Sequence, residues 1–204
     1  ITTRYGVFRF ASFDPEEISA PTEIKRRHVH PDEHIGDGAY GTVWRAFVSS
    51  PETNEPPSQT AVKSLKDDPT KDELGMFYAE AIVMSNLDHS RIVSTIGVVT
   101  VGSPKYIAME YCDNGSLDVY LHELCTRMAD VPDKFRVMVG VSVAVGMEHL
   151  ESLSIVHRDL SARNVLLDRA YNAKICDFGL SRCVAKKQDG GSDNAVDEEK
   201  QGDD

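Results

Sequence analysis

Three glycines, Gly36, Gly38 and Gly41, stand in the segment IGDGAYGTV, and the residues after the third, TVWRAFV, are rich in β-branched and aromatic types. That sequel decides the geometry. A glycine-rich dinucleotide loop opens onto a helix, whereas residues of this kind continue as a strand. The glycines therefore belong to a turn between two strands, where missing Cβ atoms let backbone N–H groups approach an anion such as phosphate. A second β-rich run, QTAVKSL at 59–65, follows across the polar, proline-bearing loop SSPETNEPPS. The two runs are expected to form a hairpin.

Thr70 begins TKDE, which has capping-box form with Glu73 three residues on. Leu74, Phe77, Ala81, Met84 and Leu87 then recur at helical spacing. Glu80 falls within that apolar stripe, and a carboxylate on a buried face is costly without a partner. Lys63, inward-pointing in the preceding strand, is a candidate partner and equally a candidate cation for a bound triphosphate; a structural ion pair and a phosphate contact both stay open at this point. RIVSTIGVVT and KYIAMEY read as further strands, before NGSL turns the chain into a helical half. Valine occupies every second position from Val137 to Val145, which on pattern alone reads as a strand. Phe135, Met138, Ser142, Val145 and Leu150 nevertheless share a helical face, and propensity opposes a helix by only some tenths of a kcal/mol per residue.

With 204 residues, 41% hydrophobic and 27% charged, the chain suits one soluble domain or one and a part. A formal charge of −11 argues against a nucleic-acid partner, which calls for a basic face. Cys112, Cys125, Cys176 and Cys183 form no CxxC pair and read as free thiols in a reducing compartment. The longest apolar run, VMVGVSVAVGM, is too short to span a bilayer, and no signal peptide is read. The start on Ile1 leads us to expect a piece of a longer protein. Residues 1–29 read as a flexible lead-in in which Lys25, Arg26 and Arg27 form a solvated patch. His28, His30 and His34 lack the companions of a metal site. The acidic residues 185–204 are expected to be disordered.

Two further segments carry chemistry. VHRDLSARN, at 156–164, gathers His157, Arg158, Asp159, Arg163 and Asn164, and ICDFGLSR, at 175–182, holds Asp177 behind an apolar run. An aspartate so held can bind a divalent cation, and Asn164 can add a neutral oxygen ligand.

In order and spacing, the glycine loop, strand lysine, helix glutamate, H-R-D-L-x-x-x-N and D-F-G resemble the protein kinase family over roughly residues 30–183. The resemblance makes 137–150 a helix. It implies an α+β fold of two lobes, a β-rich N-lobe at about 30–110 and an incomplete helical C-lobe from about 113. It implies ATP and Mg²⁺, with Lys63 on the α- and β-phosphates and paired to Glu80. Asp177 and Asn164 would bind magnesium, Asp159 would accept or orient the substrate hydroxyl proton, and Arg163 would offer charge near the transferred phosphate. Ile35, Gly36, Gly38 and Gly41 join the nucleotide-binding set, and Val43, Ala61 and Leu166 would sandwich the adenine. Met109 resembles the residue guarding the back of that pocket, and the backbone of Glu110 and Cys112 resembles the hinge. His157 would brace the loop, and Arg158 would meet a phosphorylated activation loop.

Kinases acting on serine or threonine usually carry lysine where this chain has Ser161; here the cation is Arg163. HRDLSARN resembles the tyrosine-kinase form, particularly the receptor type. The expected function is transfer of the ATP γ-phosphoryl group to protein tyrosine, in a cytoplasmic domain that could be the intracellular part of a membrane receptor. Any membrane link would run through a region outside this chain. One departure matters: no A-P-E motif follows D-F-G-L-S-R, and the last tyrosine is Tyr171. The alternative is thus a nucleotide-binding fragment without turnover, acting as a decoy or interaction module; a dinucleotide-dependent enzyme is a third reading. The expected layout is a juxtamembrane-like lead-in at 1–29, a kinase domain at 30–184 and the acidic tail at 185–204.

Overall fold

The computed structural model describes residues 2–3, 6–7, 18–38, 41–49 and 56–184. The acidic tail, the tip of the glycine turn at Ala39 and Tyr40, and residues 50–55 of the hairpin loop lie outside them, as does most of the lead-in.

The strands are β1 (Val29–Gly38), β2 (Gly41–Val48), β3 (Ser58–Leu65), β4 (Thr95–Val99) and β5 (Tyr106–Glu110). They form one antiparallel sheet in the order β1-β2-β3-β5-β4. The glycine turn joins β1 to β2, with Gly38 opposite Gly41. On the central strand β3 every residue from Thr60 to Leu65 is buried, because one face meets Val29, Ala46 and Ala108 and the other meets a helix. That helix, α1 (Lys71–Ser85), starts at the expected capping box: Thr70 Oγ1 accepts from the Glu73 N–H, and the Glu73 carboxylate accepts from the Thr70 N–H. Phe77 and Ala81 pack it onto Leu65, Val98 and Ile107.

Below the sheet lie α2 (Leu117–Thr126) and α3 (Asp133–Ser152), then the short strands β6 (Ile155–Val156), β7 (Val165–Leu167), β8 (Ala173–Ile175) and β9 (Arg182–Cys183). Strands β7 and β8 pair, as do β6 and β9. The alternating valines do form a helix, and the fold is α+β with a β-rich and a helical lobe. Of the expected inward face, Ser142 and Leu150 are buried and Phe135 packs against the core, joined by Val139 and Gly146; Val145, also placed inward on sequence, is instead 39% exposed beside Val137 and Val141. At Gly146 a Cβ would lie 2.8 Å from Ile175 Cδ1 and 3.1 Å from Arg91 O, so the missing side chain lets α3 lie close to β8.

Residues 18–28, read as part of a flexible lead-in, are docked on the sheet. The Ile24 N–H donates to Val98 O, and the Val98 N–H donates to Thr22 O. Arg26, assigned to a solvated patch, donates to Val101 O and stands over the Tyr106 ring at 5.1 Å. Lys25 and Arg27 are exposed. No helix among the described residues is long and apolar enough to cross a membrane.

Candidate active site

Lys63 points from β3 toward α1, where its Nζ donates to both oxygens of Glu80 at 2.6 and 2.8 Å and to Asp177 Oδ1 at 3.2 Å. Both partners of the first pair are buried, at 8% and 4% exposure. Burial opposes the charge on Lys63, but Glu80 and Asp177 together outweigh it and hold the ammonium above its usual value. Burial also works against the Glu80 carboxylate and pushes its pKa up against the pull of Lys63. With Nζ bonded to both oxygens, the ion pair is the state that fits this geometry. Burial thus makes the pair depend on itself, since either partner alone would be an uncompensated charge.

Asp177 reaches the cluster because β8 ends one residue before Cys176, whose N–H donates to the backbone oxygen of Asn164 at 3.0 Å. That bond brings the backbone of Asn164 beside the residue that precedes Asp177. Asn164 Nδ2 donates to the backbone oxygen and carboxylate of Asp159 at 2.8 and 2.9 Å, which turns its amide oxygen the other way. The Asp177 side chain is 45% exposed. A half-open carboxylate and an amide oxygen are each of the donor type that a hard, oxygen-seeking cation takes.

The Asp159 carboxylate accepts from Arg163 Nη2 at 2.7 and 2.9 Å. These bonds, helped by Asn164, hold its carboxyl below the usual carboxylate range against a smaller effect of burial. His157 is 1% exposed, its Nε2 bonds Cys176 O at 2.9 Å, and its ring packs on Phe178 at 5.0 Å. It braces the loop from beneath. Arg158 is exposed and has φ +70°, a left-handed conformation that costs an L-residue about 1–2 kcal/mol.

Val43 and Leu166 pack against the cluster that contains Ala61, Met109 and Cys112, so the structure unites the residues expected around an adenine. Burial pushes the Cys112 thiol up to about 12 and raises the Cys176 thiol as well, which leaves both inert at neutral pH. Ile35 is exposed. Gly36 has open space where a Cβ would stand, but at Gly41 a Cβ would fall 1.7 Å from the Ser64 carbonyl oxygen. The neighbouring strand therefore requires the third glycine, a demand that stands in addition to the phosphate contact expected on sequence.

Lys174 was missed. Its Nζ donates to both Glu110 oxygens at 2.6 and 2.9 Å, and Glu110 also accepts from the Ser94 N–H at 3.1 Å. No local signal marked it: Lys174 stands between two apolar strand neighbours, where alternation alone turns a side chain toward solvent.

A family model described as protein tyrosine and serine/threonine kinase matches residues 29–199. The chain belongs to that kinase family. Ephrin type-A receptor 8 of Mus musculus is 38% identical over 164 residues, covering 79% of this chain and 16% of the receptor. Ephrin type-B receptor 4 of Homo sapiens is 36% identical over 184 residues, covering 88% of this chain and 18% of the receptor. Ephrin type-A receptor 3 of Danio rerio is 36% identical over 164 residues, covering 79% and 16%. This kinase-family chain therefore spans about a sixth of the length of the curated relatives it matches.

Proposed function

We propose that this domain transfers the γ-phosphoryl group of ATP to tyrosine in a protein substrate. The observation that carries the reading is the triple contact at Lys63, whose Nζ bonds Glu80 on α1 and, from 114 residues away, Asp177. In it a cation for phosphate oxygens stands beside a carboxylate for a metal. Lys63 holds the α- and β-phosphates, and Glu80 fixes the lysine. Asp177 and Asn164 hold magnesium, which when bound neutralises phosphate charge. Asp159 orients the acceptor hydroxyl and takes its proton, while Arg163 holds that carboxylate ionised. Val43, Ala61 and Leu166 enclose the adenine between Ile35 with the glycine turn above and the backbone of Glu110 and Cys112 at the side. Catalysis is then positioning and charge stabilisation rather than covalent chemistry.

Tyrosine as acceptor is supported by Ser161 and Arg163 in HRDLSARN and by the receptors that the chain resembles. The same likeness supports a domain on the cytoplasmic side of a membrane receptor, with residues 30–184 as its kinase portion. A phosphotransfer assay with ATP and Mg²⁺ on matched tyrosine and serine peptides tests the reading. Transfer to tyrosine that disappears in Asp159→Asn is expected, and transfer to serine alone would overturn the specificity.

A further inference from the structure

Away from the site just described, the loop after α1 meets α3 through two imidazoles. His89, in the loop, and His149, in the last turn of α3, stack with ring centroids 4.7 Å apart and planes within 12°. Nδ1 of His89 accepts the Arg91 N–H at 3.2 Å, so that nitrogen carries no proton in this state. Nε2 of His149 is buried and has no hydrogen-bond partner among the described residues. The same loop is stitched to the lower lobe through its backbone: the Ile175 N–H donates to Arg91 O at 2.8 Å, and the Val93 N–H donates to Ile175 O at 2.9 Å. Arg91 thus links His89 to β8, the strand that leads into Asp177.

A proton has no good place in this arrangement. On Nδ1 of His89 it would displace the Arg91 N–H, because a ring nitrogen bearing hydrogen cannot accept. On Nε2 of His149 it would make a buried, unpaired N–H. On both rings it would set two cations face to face. Burial is the main influence holding His89 below its ordinary value; His149 across the contact and Arg91 in the loop add to it, and Asp88 opposes them.

We propose that the His89–His149 stack is a proton-released clasp between the α1 loop and α3, closed while both rings are neutral and opened when either is charged. Its contribution to folding is fully present above the ordinary imidazole value of about 6.5. It is lost as pH falls through the lowered value of His89, since the unfolded chain there binds the extra proton more readily. Opening frees Arg91 and with it the bond to Ile175, so acid loosens the seat of α1, the helix that carries Glu80.

The double variant His89→Phe/His149→Phe keeps two flat rings and removes every titratable nitrogen of the stack. Amide exchange of Val93 and Ile175 is compared between the full wild-type chain and this variant at matched pH, so that intrinsic exchange cancels. Lowering the pH from about 7.5 to about 5.5 should speed exchange of the wild-type amides roughly tenfold relative to those of the variant. A wild-type to variant ratio that does not change with pH overturns the proposal. Should the variant fail to fold, imidazole NMR titration of the wild type decides. Depressed titration of His89 with a matching shift of the Ile175 amide upholds the clasp, and ordinary titration with an unmoved amide overturns it.

Discussion

Glu110 and Lys174 join the two lobes, carboxylate to ammonium at 2.6 and 2.9 Å, from the last residue of β5 to the middle of β8. Both side chains are less than a third exposed. Lys174→Met would leave Glu110 with the Ser94 N–H alone, and charge-assisted bonds of this kind contribute about 1.5–3 kcal/mol. A loss of that size is expected in urea unfolding, with a smaller further loss when Glu110→Gln is added. An unchanged midpoint in Lys174→Met would show that the pair carries no stability.

Lys63→Met strands Glu80, which is 4% exposed. Breaking a buried pair from one side costs about 3–5 kcal/mol, much of it the unpaired charge that remains. Adding Glu80→Gln should therefore recover part of the loss. A single variant as stable as wild type would mean that Glu80 is not held as an anion. In the reading proposed above, the same substitution also weakens productive use of ATP.

On the function proposed above, Asp159→Asn should leave nucleotide affinity nearly intact and slow the chemical step about 10²- to 10⁴-fold, the range for a positioned acid–base group. Asp177→Asn should in addition lose magnesium-dependent binding. Titrating ATP binding against magnesium separates the two roles, and identical behaviour of the variants would dissolve the division.

Arg163 is the main cause of the lowered Asp159 pKa. The carboxylate form is present above that lowered value and is lost as pH falls through it. Arg163→Met should therefore move the acid limb of the pH–rate profile upward, toward the ordinary carboxylate range. A profile that keeps its acid limb would assign that limb to another group.

Thr70→Ala removes the oxygen that accepts from the Glu73 N–H. A lost N-cap costs about 0.5–2 kcal/mol. Thermal unfolding should register this destabilisation, and no shift would indicate that Glu73 alone satisfies the helix end.

Local rules made much of this legible from the residues. The hairpin followed from turn and strand composition, α1 from its cap, and the Lys63–Glu80 contact from two buried charges each needing an opposite. The face of α3 was legible at Phe135, Ser142 and Leu150 but not at Val145, and the close contact of Gly146 with Ile175 carries no apolar side chain that a pattern could mark. The docking of residues 18–28 was hidden for another reason. Its bonds to Val98 run largely through backbone groups, which any sequence supplies. The histidine stack joins residues that are distant in the chain, so no local signal marks it.

A Cβ at position 41 would collide with the Ser64 carbonyl whether or not a nucleotide ever entered the cleft. Gly41 therefore answers first to the closure of the hairpin, and any side chain there would strike the neighbouring strand before it met a ligand. Gly36 carries no such demand, so a side chain added there leaves the sheet as it stands.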